Sequence, residues 1–354
     1  MQPRRQSYSS PGRQATGRQG SRAFFPLPRD VAALAAAVVA KGQCANAGLV
    51  LDHYTQWQED KGSYKRTEES NRRRWVLPLT SQPLNALLTA LAPRWNAFLD
   101  SCSRQGYHVE RFAMIAESRV VVGLGAESVL ETSIRLHRVY GFPFIPGSAL
   151  KGLARAYALW ELCDQLGMPA AVMEELIDEP DEERRKDRLR AFQRDGTVPP
   201  SAPIFQMPGA EVEKRCKAVR DVFGTMGHAG GVIFFDAMPA SPSAISFAVD
   251  VMNPHYSEYY QSKEPPPPAD YLEPKPVFFL TIERGSQFLF AVGARPDATS
   301  NLEELRQWVS RARRWLQAGL RELGVGAKST SGYGLWKEVD THADHSGYER
   351  GRGG

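Results

Sequence analysis

Three short apolar runs set the firmest limit on what this chain can fold into. Val232-Ile233-Phe234-Phe235, Val277-Phe278-Phe279-Leu280-Thr281-Ile282 and Phe288-Leu289-Phe290-Ala291-Val292 are strand-length and rich in β-branched and aromatic residues. Glu283-Arg284-Gly285-Ser286 between the second and third predicts a hairpin. A helix is predicted over 300–323. Leu302, Leu305, Val309, Ala312, Leu316 and Leu323 fall on one face, with Arg306, Arg313, Arg314 and Arg321 around the remainder. Ser300 and Glu303 have capping-box spacing, and Gly324 stands where a left-handed cap belongs. Strands and helices mix without βα alternation, so the class is α+β with an antiparallel sheet.

At 354 residues the chain is long enough for about two domains or one large elaborated one. Ser118–Gly123 reads as a strand, and 84–104 as a helix interrupted at Pro93. The alternating charges of 178–195 suit a solvated helix within an insertion at 170–210. Pro265–Pro268 form a stiff spacer. Five arginines (Arg4, Arg5, Arg13, Arg18, Arg22) and no acid lie in residues 1–22, while the whole chain carries only +4. The basic excess is therefore confined to a tail too poor in apolar residues to fold. The expected organisation is a disordered tail at 1–22, one elaborated domain at 23–338 and a flexible tail at 339–354.

Cys44, Cys102, Cys163 and Cys216 are far apart and form no C-x-x-C pair, which suits buried thiols in a reducing cytosol. The apolar stretch Val31–Ala40 is too short to span a bilayer. Pro26, Pro28 and Asp30 break its approach, so Asp30 is expected to cap a short helix ending near Gly42. The expected location is cytoplasmic, with no membrane partner.

Three segments carry chemistry. Gly324-Val325-Gly326-Ala327-Lys328-Ser329-Thr330-Ser331-Gly332-Tyr333-Gly334 combines four glycines with one cation and three hydroxyls, a set suited to phosphate oxygens. It is neither a Walker A nor a dinucleotide fingerprint, because it follows a helix and precedes none. In Pro146-Gly147-Ser148-Ala149-Leu150-Lys151, Ser148 is expected to cap a helix whose free amides, with Lys151 and Arg155 one turn apart, suit an anion. In Asp250–Tyr260, His255 and Tyr256 can stack on bases or anchor a loop.

Six ordered motifs then resemble one family: Val122–Thr132, Pro146–Gly152, Val222–Thr225, Phe235–Pro239, Asp250–Tyr260 and Gly324–Gly334. From about residue 115 to 337 the chain resembles the RAMP superfamily, most closely the sixth-subunit branch of type III-B (Cmr) CRISPR effector complexes. The resemblance implies a ferredoxin-like (RRM-like) core with helices on one face and several insertions. It also implies a non-catalytic backbone or capping subunit that holds CRISPR RNA toward its 3′ end and the guide–target duplex for antiviral RNA interference. Its partners would be CRISPR RNA, complementary target RNA, the target-cleaving backbone subunit and the other terminal RAMP subunit. No cofactor or metal is implied.

The rival class is a RAMP-type metal-independent endoribonuclease that processes CRISPR RNA. Such cleavage needs a general base and a general acid. His137, His228 and His255 qualify by residue type, but none falls in a recognisable His/Tyr/Lys or His/His arrangement. Asp236 and Asp250 lack a spaced carboxylate partner for metal-assisted cleavage. A third class, a protein scaffold with incidental RNA contact, would show little salt dependence of its own.

Overall fold

The computed structural model describes residues 24–339 apart from 45, 61–62, 67–76, 81, 127, 129–131, 180, 255–266, 268–273, 275 and 300. The tail expected at 1–22, and all but the first residue of that expected at 339–354, lie outside the described residues. So do Glu127, Val129–Glu131, His255, Tyr256 and most of the proline spacer.

The amino-terminal part holds α1 (Arg29–Ala40), the hairpin β1 (Trp57–Asp60) and β2 (Ser63–Arg66), and α2 (Gln82–Arg104). Next come β3 (His108–Ala116) and α3 (Gly147–Leu166), then α4 (Ala170–Asp178), α5 (Glu182–Arg194), α6 (Pro203–Gln206) and α7 (Gly209–Phe223). Four short strands follow: β4 (Gly224–Thr225), β5 (His228–Ala229), β6 (Val232–Phe234) and β7 (Met238–Pro239). The chain continues through β8 (Phe247–Met252), β9 (Val277–Ile282), β10 (Gln287–Ala294), α8 (Leu302–Glu322) and β11 (Trp336–Glu338).

The main sheet runs β11-β3-β10-β6, with β7 pairing farther along β10, and every pair is antiparallel. In chain order its four principal strands and two core helices read β3-α3-β6-β10-α8-β11. A sheet order of fourth, first, third, second strand makes this a ferredoxin-like fold. Phe112, Met114 and Ala116 of β3 and Phe288, Phe290 and Val292 of β10 are buried with α3 and α8. The Phe112 and Phe290 rings stack at 5.4 Å, and fully buried Trp336 meets Phe288 and Phe290 edge-on at 5.3 and 5.4 Å. Full burial of each such side chain contributes roughly 2–3 kcal/mol. The absent side chain of Gly319 lets Leu153 of α3 seat on α8. Outside the core pair, α2 lies against the opposite side of β3, where Arg111 bonds Asn96 and Asp100 and Phe98 meets Phe235 edge-on at 6.0 Å. A second apolar cluster (Leu51, Leu79, Leu84, Leu88, Phe142, Leu280) joins the amino-terminal segments to β9.

Several local expectations are corrected. β9 and β10 do not form a hairpin: β9 pairs with β8, and β10 pairs with β3, β6 and β7. The turn between them spends its backbone on other segments, with the Gly285 amide donating to Ala116 O and the Glu283 amide to Ser246 O, both at 2.8 Å. Ser118–Gly123 is no strand but makes one isolated bridge, Val120 to Ile282, because its carbonyls are shared among several neighbours. Helix α2 continues through Pro93, whose ring removes a single ladder bond while Leu84, Leu88 and Leu99 are buried on both sides of it. Pro28 and Pro146 occupy the cap positions expected for Asp30 and Ser148, which fall in the first turns of α1 and α3. Asn301 caps α8, accepting the Glu303 and Glu304 amides at 3.0 and 3.4 Å; Ser300 lies outside the described residues.

Within the charged stretch 178–195, Glu182–Arg194 is helical. α5 is tied down by Arg185 to Glu213 at 2.7 Å and by Arg188 to Glu175 and Glu179, while Leu189 and Phe192 pack on the core. All four cysteines are free thiols, and burial raises the Cys216 pKa. Among the described residues no helix is long and apolar enough to cross a membrane.

Candidate nucleic-acid interface

The glycine-rich loop begins where α8 ends, and its glycines serve two physical purposes. Gly324 (φ +76°) reverses the chain. Gly326 (φ +103°) and Gly334 (φ +83°) permit close approach: a Cβ at either would collide with the Val121 or Val325 carbonyl oxygen. The base is then zipped down by Ala327 N–H to Val121 O, Gly334 N–H to Arg119 O (both 2.8 Å) and Val325 N–H to Gly334 O (2.9 Å). Beyond that seat, Ser329–Ser331 form one 3₁₀ turn closed by Gly332 (φ +86°). Lys328 has φ +62° and is the one non-glycine residue with positive φ among the described residues. Such a conformation costs about 1 kcal/mol or more and marks a segment held in a chosen shape.

The tip offers side-chain hydroxyls that have no partner among the described residues. Thr330, Ser331 and Gly332 are exposed, and the hydroxyls of Ser329, Thr330 and Ser331 make no hydrogen bond among the described residues. The Lys328 ammonium lies 5.5 Å from the centre of the Phe279 ring, a cation–π contact that aims it without neutralising it.

Beneath the loop sits a polar cluster. The Tyr333 hydroxyl donates to Asp250 Oδ2 at 2.6 Å, and Arg119 Nη1 reaches the same oxygen at 2.7 Å. Arg119 Nε continues to Glu283 Oε1 at 3.2 Å. Hydrogen bonds from Asp250 and Glu283 raise the Arg119 pKa further. Burial and the bond to Asp250 push the Tyr333 phenol up to about 12. For Asp250, burial works upward, yet the bonds from Tyr333, Arg119 and the Val251 amide together hold its pKa below the ordinary value.

The start of α3 differs from expectation. The Gly147 amide donates to the Asp236 carboxylate at 2.7 Å, and the Ala149 and Leu150 amides donate to Pro146 O. A negative side chain therefore already satisfies the helix start, which is not an open anion site. Lys151 remains half-buried with no polar partner among the described residues. Arg155 is turned to α4, with Glu174 at 3.0 Å and Asp178 at 4.0 Å. Leu153 seats on Gly319, and Glu161 bonds Arg314 and Trp315. The two helices thus cross antiparallel, and the Lys151 turn lies toward the end of α8 from which the loop springs.

The sequence model of the RAMP superfamily matches residues 114–337, from inside β3 to inside β11. This chain belongs to the RAMP superfamily. It is 38% identical over 245 residues to the CRISPR system Cmr subunit Cmr6 of Pyrococcus furiosus, covering 62% of this chain and 64% of that protein. It is 22% identical over 235 residues to the CRISPR system CMR subunit Cmr6 of Saccharolobus solfataricus, covering 65% and 58%. The match spans less than two thirds of either relative's length. Among solved structures, the crystal structure of Cmr6 from Pyrococcus furiosus aligns at 34% identity with a TM-score of 0.38, covering 66% of this chain and 98% of that one. The cryo-EM structure of the Type III-B Cmr-beta bound to cognate target RNA aligns at 18% identity with a TM-score of 0.47, covering 80% and 77%.

Within this RAMP core His137, Asp236 and Asp250 have structural partners. The His137 ring stacks on Tyr140 and Phe142 at 4.9 and 5.0 Å, and its Nδ1 accepts the Val139 and Tyr140 amides at 3.3 Å. Asp236 caps α3, Asp250 holds Arg119 and Tyr333, and His228 stands exposed on the β4–β5 hairpin. On α8, Arg313, Arg314 and Arg321 pair with Glu110, Glu161 and Glu338.

Two features escaped the sequence motifs. One is the Arg119–Asp250–Tyr333 cluster. The other is exposed Arg135, which has no side-chain partner among the described residues and whose amide donates to Val122 O at 2.7 Å. Val122 also contacts the Gly326 position, so Arg135 flanks the loop's seat. Its signal was a cation beside a motif, which no spacing rule picks out.

Proposed function

We propose that this RAMP chain is a non-catalytic RNA-binding subunit of a type III-B CRISPR ribonucleoprotein effector, acting in the cytoplasm. It holds CRISPR RNA by its phosphates toward the guide's 3′ end, where complementary target RNA pairs with it, beside a backbone RAMP subunit and the other terminal subunit. The observation that carries this reading is the pinned glycine-rich loop. It holds Lys328 in a left-handed conformation and presents to solvent Gly332 and hydroxyls that are unbonded among the described residues. Cations and hydroxyls fixed on a rigid seat suit phosphate oxygens and are indifferent to base identity. Gly147, Ser148 and Lys151 lie at the same end of the helix pair, and Lys151 supplies a second cation with no acidic partner among the described residues. His255 and Tyr256 are proposed as base-stacking contacts. Gly324, Gly326 and Gly334 shape the seat, whereas Arg155 is engaged by acids of α4 and adds little free charge. Kinship to proteins named as Cmr6 subunits supports the effector assignment.

The non-catalytic reading draws on His137, whose Nδ1 is occupied by two amides and whose ring is stacked. That is a poor setting for a general base. The test is purification of the tagged chain from its own cells with sequencing of the retained small RNA. Guide-length RNAs with a common repeat-derived 5′ end, arriving with other RAMP subunits, are expected. A lone protein that cuts repeat RNA would overturn the proposal in favour of a processing nuclease.

A further inference from the structure

We infer that Asp250 is a positioning residue that braces the glycine-rich loop against the β8–β9 ribbon, so that Lys328 and the loop hydroxyls are held in place for RNA. This rests on the RNA-binding reading and adds how the site is held in shape. The two parts share few backbone hydrogen bonds. β8 and β9 form a two-stranded sheet of their own, linked by the single Val120–Ile282 bridge to the segment on which the loop is seated. The loop is zipped at its base, but its tip from Thr330 to Gly332 is exposed.

Asp250 bridges this gap from β8. Its side chain is 17% exposed. Oδ2 accepts both Tyr333 of the loop at 2.6 Å and Arg119 of the seat at 2.7 Å, while Oδ1 accepts the Val251 amide at 2.9 Å. Arg119 then ties in Glu283 at the end of β9. One carboxylate thereby joins the ribbon, the seat and the loop. Phe279 of β9 reinforces the link, lying 6.1 Å from the Tyr333 ring and beneath the Lys328 ammonium. Arg119 is held between two acids, so it is committed to this joint and not to phosphate. The direction in which Lys328 and the hydroxyls point therefore depends on a residue that itself repels RNA.

That last point yields a test in which charge and position predict opposite signs. Asp250→Asn removes a negative charge near the interface and releases Arg119, so a purely electrostatic account predicts tighter RNA binding. Positioning predicts weaker binding. The measurement is release of CRISPR RNA from the assembled effector complex across a salt series. Asp250→Asn and Tyr333→Phe are each expected to weaken retention on the order of threefold to thirtyfold. Each should also lower the salt slope by about 0.7, as one phosphate contact is lost. In a Lys328→Ala background each is expected to add less than its full loss, because part of its effect runs through that side chain. Tighter binding, or losses that add fully to that of Lys328→Ala, would overturn the inference. Should Asp250→Asn fail to fold, Tyr333→Phe carries the test alone, since it removes one hydroxyl and no charge. Hydrogen exchange of amides 324–334 separates the two claims. Faster exchange in Asp250→Asn with no RNA bound by the wild-type complex would sink the functional reading and leave the coupling standing, whereas unchanged exchange would sink the coupling.

Discussion

The Asp236 carboxylate accepts the Gly147 amide hydrogen at 2.7 Å, so a residue 89 positions later in the chain caps the first turn of α3. Gly147 is needed there because a Cβ would collide with the Phe234 carbonyl oxygen. The pair fastens the core helix to the end of β6 and places a negative charge at the positive end of the helix.

Asp236→Ala should therefore cost about 1–2 kcal/mol of stability, the usual price of a lost cap, and Asp236→Asn less because an acceptor remains. Urea unfolding of the two variants measures this. The salt dependence of RNA retention should stay at the wild-type value, since this acid faces an amide already taken. A changed slope in Asp236→Asn would add the helix-start amides to the contacts made there by Lys151.

Lys328→Ala and Lys151→Ala should each weaken RNA retention in the assembled complex, independently of guide sequence. Each removes a cation with no acidic partner among the described residues, so each should lower the salt slope by about 0.7. Arg155→Ala, whose charge is spent on Glu174 and Asp178, should change the slope far less. Unchanged retention in the double lysine variant would remove both turns from the interface.

The glycines of the loop should separate by what surrounds them. Gly326→Ala forces a methyl group into the Val121 carbonyl and strains a backbone at φ +103°, so it should unseat the loop and cost several-fold in RNA retention. At Gly332 nothing lies within 4 Å, so Gly332→Ala meets only the strain of φ +86°, about 1 kcal/mol. Thermal unfolding and hydrogen exchange of 324–334 distinguish the two, and equal effects would contradict the seat described above.

How much of this was legible beforehand depended on sequence distance. The loop could be read because its glycines, lysine and hydroxyls are contiguous. Its anchor could not, because Arg119 and Asp250 lie 131 residues apart and Asp250 and Tyr333 lie 83 apart. Strand β3 is hidden in the sequence because His108, Glu110 and Arg111 make it look polar. In the fold Glu110 pairs with Arg313 of α8 and Arg111 with α2, so its charges bond to the helices packed on either face. The sequence places the turn at 283–286 but not the pairing of its arms, since a turn fixes a reversal and not the sheet that each arm joins.

The joint at Asp250 also fixes how the molecule should respond to base. Tyr333 ionises near 12 in the fold, above the ordinary phenol value of 10.0. Its contribution to stability is therefore fully present below about pH 10 and is lost as pH rises through the folded value, because the unfolded chain gives up this proton first. Asp250 works in the other direction: its lowered pKa contributes above the ordinary 3.8 and is lost as pH falls below it. Retention of RNA should accordingly be flat with respect to this joint across neutral pH. The check is a phenolate absorbance titration of wild type against Tyr333→Phe. Tyr157, raised by burial and by Glu322, also ionises late, so only the difference between the two curves isolates Tyr333. A late-ionising step should vanish from the variant. If the difference curve instead shows a phenol ionising near 10, the hydroxyl is not held by Asp250 and the loop is fixed by its backbone alone.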